Sequence, residues 1–132
     1  MASLPSPSVP VSWGELLDKI TILEIKRERI ARAEARANVA REHRALSDIG
    51  AGVIGQQAIA PLFGQLKSIN RELWEIEDAI RQEEAAASFG TDFIQLARSV
   101  YHKNDERARL KRAINLALES DLIEEKSYAA MG

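Results

Sequence analysis

Leu62, Leu66, Ile69, Leu73, Ile76 and Ile80 fall within about 80° of one another when the chain advances by about 100° per residue. That stripe predicts an amphipathic helix over residues 59–87. Upstream, a helical pattern runs from Trp13 to Leu46 with no proline and no glycine after Gly14, so one long first helix is expected over 13–46. Ser12 and Glu15 stand at its start with the spacing of a capping box, each side chain able to satisfy an amide left unpaired by the new helix. A third helix is expected over 92–118, with Thr91 as its N-cap and Asp92 in its first turn. The stretches "SDIGAGVIGQQA" and "SFGTD" read as the connections. Residues 1–11 hold three of the four prolines and read as a flexible tail. Residues 119–132 read as a second tail, with a short turn of helix expected after Ser120 and anchoring expected from Tyr101 and Tyr128.

Two short connections joining three amphipathic segments imply an all-α fold, an antiparallel three-helix bundle with a long first helix spanning residues 12–118. The first helix carries Leu16, Ile20, Leu23 and Ile30 on one stripe, yet Ile22 and Ile25 lie off it. "KITILEIK" therefore offers apolar surface on more than one side. Either the chain encloses it or a second subunit does, and the expected partner is another copy in a homodimer or higher homo-oligomer.

The third helix breaks its own pattern. Val100, Ile114 and Leu118 line one face, and Asn104, Arg107 and Lys111 fall inside the same arc. With the first and third helices running in the same direction and the second returning between them, Glu24, Arg27 and Glu77 come to that level. Together with Tyr101 they define a candidate ligand-binding set: Glu24, Arg27, Glu77, Tyr101, Asn104, Arg107 and Lys111. Closed on itself, such a layer is a buried ion-pair network that fixes helix register. Left open, it is a pocket for an anionic ligand, with the cations on carboxylate or phosphate.

Composition narrows the chemistry. At 132 residues, 45% apolar and 29% charged, the chain is sized for one globular domain with one core. It has no cysteine, which excludes thiol nucleophiles and disulfides, and its two histidines make a histidine-based zinc site unexpected. No metal, cofactor or catalytic residue is assigned. A net charge of −2 argues against nucleic acid as a partner. No apolar run approaches the roughly 20 residues that span a bilayer, and the start resembles no signal peptide, so no membrane partner and a cytoplasmic location are expected. Residues 61–88 carry three basic and six acidic groups and residues 92–118 six and three, as expected of an acidic helix beside a basic one.

Glu72 with Glu75, and His102 with Asp105, repeat a spacing of three on two helices. The pattern is similar to the magnesium-binding carboxylates of all-helical nucleotide pyrophosphohydrolases, which implies a magnesium-dependent alternative. "LLDKITILEIKRERI" resembles the first helix of helical chorismate mutases in general pattern only, which implies a dicarboxylate ligand.

A more specific likeness lies in "VSWGELLDKITILEIKRERI" and "FIQLARSVYHKNDERARLKRAINLAL". These blocks resemble a family of short helical proteins of unknown function from bacteria and phages. Its signatures match here at Ser12, Gly14, Glu15, Leu16, Asp18 to Lys26, Val100, Tyr101, Asn104, Asp105 and Arg107. The resemblance implies no activity. The expected function is that of a non-enzymatic, self-associating helical interaction or binding module with a buried polar layer. The alternative is a small all-α enzyme or binding protein for a phosphate- or carboxylate-bearing metabolite.

Overall fold

Four helices, rather than the three expected, form the computed structural model, which describes residues 3–127. They are α1 (Trp13–Arg29), α2 (Ala33–Ile54), α3 (Ala60–Ala85) and α4 (Thr91–Ala117), with no strand among the described residues. None is long and apolar enough to cross a membrane.

The expected first helix divides in two. Ser12 caps it as its spacing predicts, its hydroxyl accepting from the Glu15 amide at 3.1 Å. At Ile30 and Arg32, however, the backbone turns extended, with ψ of 126° and 124°. No proline or glycine marks this break, because tertiary packing makes it: the reversal lays α2 back along α1. Glu24 then meets His43, and Ile20 meets Gly50.

α2 also runs through the glycines expected to form a loop. Gly50 is buried, and a Cβ there would lie 2.8 Å from the Ile20 Cδ1. This glycine leaves room for the Ile20 side chain, and that contact offsets the roughly 1 kcal/mol by which glycine disfavours helix relative to alanine.

α3 begins with Pro61 in its first turn, where a missing N–H leaves nothing unpaired. It ends at Ala87, whose φ of 51° is left-handed, with the Ser88 amide donating to the Glu83 carbonyl at 2.9 Å. Gly90, not Thr91, takes the N-cap position of α4. α4 ends as α3 does: Glu119 has φ of 51° and the Ser120 amide donates to the Asn115 carbonyl at 2.8 Å. Residues 120–127 then form no helix, and Tyr128 lies outside the described residues.

α1 is the hub, packed against α2, α3 and α4, while α3 also packs along α4. Leu16, Leu17, Ile20, Ile59, Leu66 and Ile114 make the core. Ile25, whose off-stripe position pointed to a second subunit, is only 1% exposed within the single chain. α1 has 17 residues against 26 and 27 in α3 and α4. At about 1.5 Å per residue, the α3–α4 pair outreaches α1 by about 14 Å. Contacts of Gly14 with Asn115 and of Arg29 with Glu75 put that overhang at the hairpin end.

Candidate functional site

The polar layer forms, but on a different carboxylate and in the opposite helix direction. Because α2 turns the chain once more, α4 runs antiparallel to α1. Positions rising along α1 meet positions falling along α4: Gly14 with Asn115, Glu15 with Lys111 and Asp18 with Arg107.

Asp18 lies at the centre, 1% exposed. The Arg107 guanidinium grips it with both arms, Nε donating to Oδ1 at 2.9 Å and Nη2 to Oδ2. This planar, charge-assisted pairing is what makes arginine the usual cation for a buried carboxylate. Asn70 of α3 donates to the same Oδ1 at 2.9 Å and to the Thr21 hydroxyl at 2.8 Å, while that hydroxyl donates to the Asp18 carbonyl at 2.7 Å. Three helices thus close on one carboxylate. The hydrogen bond to Asp18 raises the Arg107 pKa further above its ordinary value, against the desolvation that opposes it.

One turn lower, the Lys111 ammonium donates to Glu15 at 2.8 Å and to both oxygens of Glu124 at 3.2 and 2.9 Å. Burial disfavours its charge, but hydrogen bonds to Glu15 and Glu124 outweigh that, and its pKa stands above the ordinary lysine value. Below it the Gly14 amide donates to the Asn115 side-chain oxygen at 2.6 Å, so an orphan amide of the first turn of α1 is satisfied from α4. A Cβ on Gly14 would collide with the Lys111 carbonyl and come within 2.9 Å of Asn115 Oδ1. Only glycine admits this approach.

Of the residues expected in one layer, Arg107 and Lys111 belong to it. Glu24 instead faces the junction of α1, α2 and α3, with Lys67 Nζ at 2.9 Å and His43 Nε2 at 3.4 Å. Arg27 joins that junction by donating to His43 Nδ1 at 3.2 Å. Lys67 also bridges to Glu28 at 3.2 Å, and this hydrogen bond is the main cause that holds the Glu28 carboxyl below its ordinary pKa. Glu77 and Tyr101 are exposed on the hairpin, Glu77 4.0 Å from Arg81 and Tyr101 with its ring 4.5 Å from that of His102. Asn104 is half-buried on α4. The expected single site is thus spread over three places, because the level comparison rested on α1 and α4 running in parallel.

Of the four residues in the magnesium reading, Glu72 and Glu75 each hold a cation of the chain, Lys103 and Arg29, both at 2.9 Å. Among the described residues no cluster of three or more histidines and carboxylates is placed to hold a metal ion.

Asp18, Thr21, Asn70, Glu15 and Asn115 were missing from the expected set. A signal existed for part of it: Gly14, Asp18, Thr21 and Ile25 fall within about 60° on the face of α1 opposite its apolar stripe. All four are buried.

No curated protein and no solved structure matches the chain. A family match exists instead, and it takes in α1, the whole polar layer and the tail that closes it. The chain belongs to the family of unknown function DUF6165, which matches residues 8–131.

Proposed function

We propose that this protein is a non-catalytic helical interaction module that self-associates through the projecting α3–α4 hairpin, with the Asp18 layer holding the hairpin on its base. One observation carries the reading: no residue from 74 to 103 is fully buried, although the segment contains Trp74, Ile76, Ile80, Phe93, Leu96 and Val100. A two-helix hairpin lacks a third layer, and an apolar seam without one is a surface for another chain. Charge favours a second copy. Residues 74–85 carry five acidic groups and one basic, whereas residues 93–103 carry two basic groups and no acidic ones. Antiparallel pairing of two hairpins sets α3 of one copy against α4 of the other, an arrangement that a twofold interface allows.

An anionic-ligand role for Arg107 and Lys111 draws less support, since carboxylates of the chain already engage both. Light scattering tests the reading: a dimer is expected at tens of micromolar chain, and Ile80→Glu with Val100→Glu should yield a folded monomer. A wild-type chain that stays monomeric up to 200 µM, on the order of ten times that concentration, would overturn it.

A further inference from the structure

After the turn at Glu119, residues 121–127 fold back along α4 without forming a helix. Charge holds them there: Glu124 sits on Lys111, and Glu125 accepts from Arg112 Nη1 at 3.1 Å. Ser120 ties the turn to the start of α1. The Trp13 amide donates to the Ser120 hydroxyl at 3.3 Å, and that hydroxyl donates to the Leu122 carbonyl at 2.7 Å. Leu122 and Ile123 are exposed, as is most of the Glu125 side chain. The Glu125–Arg112 pair is exposed and holds weakly, and Lys111 keeps Glu15 as a carboxylate partner when Glu124 leaves, so release of the segment strands no buried charge. Lys111 does not move with it, because it belongs to α4 and is 8% exposed, packed at the start of α1 with Glu15 as its other carboxylate.

We propose that this cationic notch, Lys111 with Arg112 at its rim, is a docking site for an acidic segment of a partner protein. The recognised chemistry is a pair of adjacent carboxylates, and Glu124 and Glu125 occupy the notch in the free chain. Charge along the sequence agrees: residues 92–118 hold six basic and three acidic groups, and residues 119–132 one and four. The site lies at the opposite end of α4 from the hairpin, so it stands or falls independently of self-association there.

The test uses the full chain and a fluorescein-labelled peptide of residues 119–127. A tethered tail competes with the peptide at an effective concentration on the order of millimolar. Releasing it with Glu124→Ala and Glu125→Ala should therefore tighten peptide binding by about tenfold or more in fluorescence anisotropy. Added salt should weaken that binding, and so should Arg112→Ser introduced into the released chain, an exposed change that leaves the fold intact by circular dichroism. Equal binding by wild-type and released chains, or equal binding of a peptide with lysine in place of Glu124 and Glu125, would overturn the proposal. So would a wild-type dimer lost on releasing the tail, since tails would then exchange between copies.

Discussion

The two ends of the long helices use opposite means of holding together. At the base, α3 and α4 close around α1 through a buried carboxylate, an arginine, an asparagine and a lysine, each with a partner. At the tip the same two helices meet only each other, through apolar side chains that none of their neighbours fully covers. The base is directional and intolerant of change, because an unpaired charge in a low-dielectric interior is far more costly than a lost apolar contact at a surface. The tip is non-directional and tolerant, the condition under which a surface remains available to another chain.

The contrast is broken most severely at Asp18. Asp18→Ala leaves Arg107 and Asn70 facing a void, and urea denaturation should record a loss of about 3–5 kcal/mol. Asp18→Leu combined with Arg107→Met removes both charges and should recover most of that loss. Apolar truncation gives the next largest difference. Ile20→Ala in the core should lower stability by about 2–5 kcal/mol, and Ile80→Ala at the tip by only about 1 kcal/mol. Hydrogen exchange should follow the same order, with amides of residues 78–85 and 91–98 losing protection before those of α1.

Smaller again is Gly14→Ala, which drives a methyl into the Lys111 carbonyl. About 1–3 kcal/mol is expected, together with a chemical-shift change at the Asn115 side-chain amide. The smallest effect comes from pH. The Lys111 pKa is raised above its ordinary 10.5, so its contribution is whole below that pH and is lost as pH rises through the native value. Between pH 9 and pH 12, about 1.5 units either side, stability should fall more in the wild type than in Lys111→Met.

Helical phase exposed Arg107 and Lys111 as inward-facing cations, and an inward cation needs an anion. It could not say which anion, because that depends on the direction of α1 relative to α4. Direction depends on the number of reversals between them, and the reversal at Ile30–Arg32 has no local marker: "RERIARAEAR" is helix-favouring throughout. The glycines of "GAGVIG" misled for the complementary reason. Local preference counts them as breakers, while Gly50 is selected by its contact with Ile20, on another helix and far away along the sequence.

The sequence by itself therefore determined what is periodic and local: an all-helical chain, the cap at Ser12, the stripe of α3, the inward phase of Arg107 and Lys111, and the excess of acid on α3 over α4. Tertiary structure alone decided the break after Arg29, the antiparallel sense of α1 and α4, and the choice of Asp18 as the carboxylate at the centre. The physical reason is that helix formation is governed by residues three and four apart, whereas each of these choices is a contact across helices. Such contacts join residues as distant as Asp18 and Arg107, and they are selected by the packing of α1 against three other helices at once.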